Sequence, residues 1–173
     1  MVASTSRGYE AVLAIRGTGD LLGEQAAFDG SPRSASVLAL TSTRALLLPL
    51  SDFDALCRTE AAVARALRHT QSDRLRQADR RRVAAGAEGT GERLAALLLD
   101  LGERYGSRCV DGGLLVGLPL SQDDLAGLVL ASRRSVSRVL EQWRGRGWVT
   151  TGRNRLIIED PDALKREAGT ALE

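Results

Sequence analysis

The pattern of apolar and polar positions changes character near residue 51. Before that point the apolar residues come in short runs separated by turn formers. Val12-Leu13-Ala14-Ile15 is ended by Gly17-Thr18-Gly19-Asp20. Ala35 to Leu40 carries an alternating component, and Ala45 to Leu50 is a third run in which Pro49 marks an edge or a strand end. Between the first two lies a turn-rich stretch, Gly19 to Arg33, with Gly23, Gly30 and Pro32. Short strands at this spacing, broken by glycine, predict a sandwich, roll or barrel.

From Ser51 the helical period takes over. Ser51 to Asp54 reads as a helix start with Ser51 as the N-cap. Helix formers then run from Glu60 to Ala85, and Gly86, Gly89 and Gly91 break the pattern. The apolar positions of this long helix, Val63, Leu67, Leu75, Ala78 and Val83, loosely follow one face. Such a thin stripe packs either on a partner helix or on the chain's own β region. Thr90 opens a further helix through Leu101, with Gly102 and Gly106 near its end. Leu114 to Leu118 reads as a strand, Gln122 to Val129 and Ser132 to Arg144 as short helices. Trp148 to Thr151 and Arg155 to Ile158 then form a hairpin about Gly152-Arg153-Asn154.

Composition removes whole classes of function. No apolar run approaches the ~20 residues of a membrane helix, and the first ten residues carry no apolar signal core. Cys57 and Cys109 stand alone, which argues against a disulfide framework, zinc or iron–sulfur and for two buried thiols in a reducing, cytoplasmic setting. His69 is the one histidine, and nothing pairs a nucleophile with a base, so an enzyme is not expected. The six aromatic residues leave an aliphatic core. Formal charge is +2, yet its distribution is uneven: Ser132 to Arg155 holds seven arginines against Glu141, a local +6.

That basic stretch lies inside the most informative motif. Ser121 caps a helix whose first turn carries Asp123 and Asp124 and whose buried face is Leu125, Leu128 and Val129. Ala126 is small where a second helix would cross. Ser132 caps that second helix, which buries Val136, Val139 and Leu140 and exposes Arg133, Arg134, Ser135, Ser137 and Arg138. Arginines in the first two turns of such a helix can pair with guanine edges in the major groove. Arg153 and Arg155 at the hairpin tip suit phosphates. The plain alternative is a helical hairpin with a solvated arginine face.

Ser132-Arg133 followed by Ser135-Val136-Ser137-Arg138 resembles the recognition-helix pattern of the CRP/FNR family of bacterial transcription regulators. The resemblance implies that Arg133 and Arg138 read bases, and that Ser121, Gln122 and Ser132 lie near phosphates. It also implies a homodimer on an inverted-repeat operator, with RNA polymerase as a further partner. Arg134 stands where the best-known members have an acid. Arginine cannot accept a hydrogen bond from cytosine, so the family's familiar operator does not transfer.

Gly23-Glu24-Gln25-Ala26-Ala27-Phe28-Asp29-Gly30-Ser31-Pro32-Arg33-Ser34-Ala35 resembles the phosphate-binding cassette of cyclic-nucleotide-binding domains. A planar guanidinium at Arg33 and a hydroxyl at Ser34 suit a cyclic phosphate. A short helix from Glu24 would aim N–H groups at the anion, and the Glu24 carboxylate suits a ribose hydroxyl. In cyclic-AMP-responsive members, hydroxyl residues on the long helix contact adenine. Counting back from Thr90 places Ala78 and Asp79 there. Asp79 either accepts from the adenine amino group or pairs with Arg82 or Arg76.

The expected architecture is therefore α+β: a partial antiparallel β-roll over 1–56, a long connecting and dimerisation helix over 57–88, and a winged helix-turn-helix over 89–173. The effector, a cyclic nucleotide such as cyclic AMP, would touch Gly23, Glu24, Arg33, Ser34 and Asp79. The alternative is a ligand-independent DNA binder with a vestigial sensor. Few strands precede the cassette, so the chain spans only the later part of the family's roll, as a natural short form or through a start placed too far downstream.

Overall fold

In a computed structural model, which describes residues 1–4, 10–153 and 155–169, helices carry most of the chain. β1 (Val2–Ser4) pairs antiparallel with β2 (Glu10–Val12), placing Val2 opposite Val12. A single bridge joins Val2 to Ser36. α1 (Glu24–Asp29) starts and ends at left-handed glycines, Gly23 and Gly30. α2 (Leu50–Thr59) and α3 (Ala61–Ala87) follow, separated by an extended Glu60.

The C-terminal half begins with α4 (Thr90–Tyr105) and continues through β3 (Ser107–Arg108) and β4 (Leu114–Val116). α5 (Gln122–Leu128) and α6 (Arg133–Gly145) come next. β5 (Val149–Gly152), β6 (Arg155–Ile158) and α7 (Pro161–Ala168) complete it. The strands form one antiparallel sheet in the order β3-β4-β6-β5. Leu94, Ala95, Leu98 and Leu101 recur at helical spacing and bury one face of α4. That face meets Val136, Leu140 and Trp143 of α6, Leu164 of α7, and Val116, Val149 and Ile158 of the sheet. Trp143 and Trp148 supply the aromatic pair, with ring centroids 6.5 Å apart.

The N-terminal region differs from the expectation. β2 ends at Val12, so residues 13–15 are not strand. Residues 37–49 form no ladder among the described residues, and Leu50 opens a helix. A strand satisfies its N–H and C=O groups only through a neighbour; Met1 bonds to Leu13 and Ala14 and Val2 to Ser36, but no described ladder continues along residues 37–49. Leu46 and Leu47 are consequently 96% and 88% exposed. Pro49, not Ser51, precedes α2: its carbonyl accepts from Asp52 and Phe53, while Ser51 turns to Asp52. Proline's fixed φ suits that entry. α3 continues through Gly86 to Ala87, because an exposed glycine weakens a helix without ending it. Gly102 likewise sits inside α4, which ends at Gly106. Cys57 and Cys109 are free thiols that are half-buried rather than buried.

The two halves touch. Gly127 of α5 faces the β2 backbone, where a Cβ would stand 3.0 Å from the Val12 nitrogen. Ile15 packs against the C-terminal core, and Arg81 of α3 donates to the Leu13 carbonyl at 2.9 Å. Among the described residues no helix is long and apolar enough to cross a membrane.

Candidate nucleic-acid interface and effector cleft

α5 and α6 owe their starts to serine caps. The Ser121 hydroxyl accepts from the Asp124 N–H at 3.1 Å, and the Asp124 carboxylate accepts from the Ser121 N–H at 2.8 Å. The Ser132 hydroxyl accepts from the Ser135 N–H at 3.1 Å and lies 2.9 Å from the Ser135 hydroxyl. These reciprocal bonds satisfy N–H groups that a helix start otherwise leaves open. Leu125, Ala126 and Val129 are buried in one core with Val136, Leu140 and Trp143, and Leu128 is buried as well. Val139, expected on the buried face, is half-buried.

The opposite face of α6 is the chemistry. Arg133, Arg134, Ser137, Arg138 and Glu141 line an open groove of about 500 Å³. All seven arginines from Arg133 to Arg155 are exposed. Arg133 stands 3.7 Å from Asp123, both mostly in solvent, a pair that water and salt screen. Arg144 at the end of α6 donates to the Thr151 hydroxyl at 2.9 Å, tying β5 to the helix. Arg153 sits at the exposed hairpin tip, and the neighbouring Asn154 lies outside the described residues. Gln122 is half-buried beside Ser121, which is exposed. One helix face thus presents three guanidinium forks next to a basic hairpin, an arrangement suited to duplex DNA.

The second site gathers around Gly23. Its φ of +84° is left-handed, and the Arg33 guanidinium fills the space a side chain there would take. Glycine is needed on both counts. Arg33 and Ser34 are exposed and line an open cleft of about 720 Å³ with Val2 and residues 35–38. This end fits an anion such as a phosphate. Glu24 is 5% exposed and paired with Arg74 of α3, which also donates to the Leu21 carbonyl at 2.6 Å. Asp79 is exposed and 3.8 Å from Arg82. The structure therefore brings Gly23, Glu24 and Arg33 together and leaves Asp79 on a solvated surface.

Arg74 had no local signal: its partner is fifty residues away in sequence. Arg16 adds to the same cluster. Burial pushes its guanidinium below the ordinary arginine range, the nearby Arg74 acts the same way, and its Nε–H has no partner among the described residues.

Comparison with known proteins covers both sites. Residues 92–167 match the family described as Crp-like helix-turn-helix domain, and residues 1–60 match the cyclic nucleotide-binding domain. The chain is 30% identical over 161 residues to the CRP-like cAMP-activated global transcriptional regulator of Mycobacterium tuberculosis. That match spans 93% of this chain and 71% of the relative. It is 33% identical over 161 residues to the cyclic AMP receptor protein of Thermus thermophilus, with the same shares covered. A solved CRP/FNR-family regulator from Thermus thermophilus superposes with a TM-score of 0.77 at 26% identity, over 97% of this chain and 81% of that one.

Proposed function

The chain belongs to the CRP/FNR family of transcription regulators, DNA-binding proteins and not enzymes, and on that premise we propose that it reads an inverted-repeat operator as a homodimer under the control of a cyclic nucleotide. In this reading residues 1–56 sense, 57–88 connect and dimerise, and 89–173 bind DNA. Arg133, Arg134 and Arg138 enter the major groove. Ser121, Gln122 and Ser132 lie at the phosphates, Ser135 belongs to the DNA-facing side of the helix, and Arg153 touches the backbone from the hairpin. The observation that carries it is the capped α6, with Val136, Leu140 and Trp143 buried behind and three exposed arginines in its first two turns.

Selection from random duplex DNA tests the reader. The expected result is an enriched inverted repeat with half-site centres about 34 Å apart. Recovery of no enriched palindrome overturns it. For the sensor, Arg33 and Ser34 would hold the phosphate. Calorimetric titration of cyclic AMP and cyclic GMP should show binding that Arg33→Ala abolishes; no binding to the wild type overturns the effector.

One observation favours a second reading. Glu24, the proposed ribose acceptor, is already engaged by Arg74. Arg74 takes one carboxylate oxygen, Oε1, so a ribose hydroxyl must either reach the other oxygen of a buried side chain or displace the guanidinium. If DNA affinity is unchanged by nucleotide, the chain is a ligand-independent regulator.

A further inference from the structure

Arg93 sits in the first turns of α4, at the positive end of that helix dipole, where a cation is unfavourable. Its contacts lie elsewhere. Nη1 donates to the carbonyls of Ala84 at 3.2 Å, Ala85 at 3.4 Å and Glu88, which close the end of α3. Nε donates to the Val129 carbonyl at 2.9 Å, at the end of α5. The guanidinium is half-buried between the negative ends of two helices, where Ala84 already accepts from the Glu88 N–H at 2.8 Å and Arg93 adds a second donor. A planar fork with five donors can serve both at once; an ammonium on a flexible stem cannot hold the same spread.

The position of the Val129 carbonyl matters. The next residue, Leu130, has φ +52° and forms the left-handed turn that aims α6. The peptide held by Arg93 thus lies in the turn that leads into the recognition helix. The same side chain holds the end of the long helix assigned to dimerisation. This link bypasses the aliphatic core, where Leu94, Leu98 and Leu101 face inward.

We propose that Arg93 is a positioning residue that locks the end of α3 to the α5–α6 turn, and so sets the separation of the two recognition helices in the dimer. The inference rests on the dimeric reader proposed above. Arg93 itself touches no base. Its effect falls on the geometry between half-sites, whereas the arginines of α6 act within each half-site.

The test measures affinity of wild type, Arg93→Lys and Arg93→Gln for three duplexes. One carries a single half-site. One carries two half-sites at the selected spacing, and one carries them further apart by half a helical turn, about 5 base pairs. Wild type should prefer the selected spacing by at least roughly tenfold. Arg93→Gln should cut that preference below about threefold, with single-half-site affinity within about threefold of wild type. Arg93→Lys should fall between them. An undiminished spacing preference in Arg93→Gln overturns the proposal. So does a loss of half-site binding as large as the loss on the palindrome, which marks Arg93 as a support of the local fold. If Arg93→Gln does not fold, Arg93→Lys decides: a wild-type spacing preference overturns the proposal. A wild type indifferent to spacing overturns the dimeric reading instead, a result visible before any variant is compared.

Discussion

Residues 90–168 and residues 1–60 are written in similar apolar alphabets but bury them differently. In the C-terminal half, Leu94, Leu98, Leu101, Val136, Leu140, Trp143, Ile158 and Leu164 are at most 1% exposed. In the N-terminal part, Ala14 and Phe53 are buried, while Leu38, Leu46 and Leu47 stand 62%, 96% and 88% in solvent. The difference lies in where backbone hydrogen bonds can close. α4, α6 and α7 satisfy theirs internally; α4 and α6 then cover one small sheet whose strands all have partners, and α7 packs on α4. The runs at 35–40 and 45–50 need neighbouring strands, and the described residues supply one bridge at Ser36. Apolar residues stabilise a fold only where an opposite surface exists to cover them.

The sharpest way to break that contrast is to truncate one residue on each side. Trp143→Ala removes a side chain that is 1% exposed and touches the α4 and α6 core. It should cost about 3–5 kcal/mol in urea unfolding. Leu46→Ala should change stability by no more than about 0.5 kcal/mol. A comparable loss at Leu46 would show that its exposed run is covered in solution.

A second variant addresses the joint between the regions. Gly127→Val places a Cβ 3.0 Å from the Val12 nitrogen and 3.4 Å from its carbonyl oxygen, both backbone atoms that cannot rotate away. The α5 helix itself gains slightly from losing a glycine. A net loss of about 1–3 kcal/mol on the whole chain would therefore report the crowded contact. An unchanged midpoint would show that β2 is not seated on α5.

The same contrast explains what the sequence made legible. α5, α6 and the hairpin carry local signals: Ser121 and Ser132 as caps, apolar residues at helical spacing, and glycine at the turn. Leu125, Leu128, Val129, Val136 and Leu140 are buried as their spacing predicts. α7 carries a local signal of the same kind, with Asp160 accepting from the Ala163 N–H at 2.9 Å just before Pro161. The N-terminal runs misled because pairing is non-local: alternation says that a residue suits a strand, not that a partner strand is present. Arg74 and Arg93 were invisible for the same reason, since each acts on groups far along the chain. At the cleft around Gly23, spacing suggested Glu24 and Arg33 as candidate ligand contacts, but only the fold shows that Glu24 is already paired.

Within the DNA face a finer comparison separates reading from holding. Arg133→Ala and Arg138→Ala should each cost about 1–3 kcal/mol on the selected operator and relax preference at one position of each half-site. Arg153→Ala should weaken all duplexes nearly equally and, with one copy lost from each half-site of the dimer, lower the salt slope by about 2. Titrations at several salt concentrations on operator and scrambled DNA distinguish the two. Equal losses on scrambled DNA for Arg133→Ala would reassign that arginine to phosphate.

The smallest expected effect is a gain inside the well-packed half. Leu130 has φ +52° in the α5–α6 turn and is 54% exposed. A left-handed non-glycine residue costs roughly 1–2 kcal/mol, whereas asparagine and glycine adopt that conformation readily. Glycine gives back about 0.5–1 kcal/mol through the freedom it adds to the unfolded chain. Leu130→Asn should therefore stabilise by about 0.5–1 kcal/mol, and Leu130→Gly by somewhat less. Thermal unfolding of the two variants side by side reads this. If both melt below wild type, the half-exposed leucine contributes more contact than its backbone costs. The turn would then be held by packing as well as by Arg93 at the Val129 carbonyl. If both melt above it, the strain is real, and the bond from Arg93 is part of what keeps the turn in place against it.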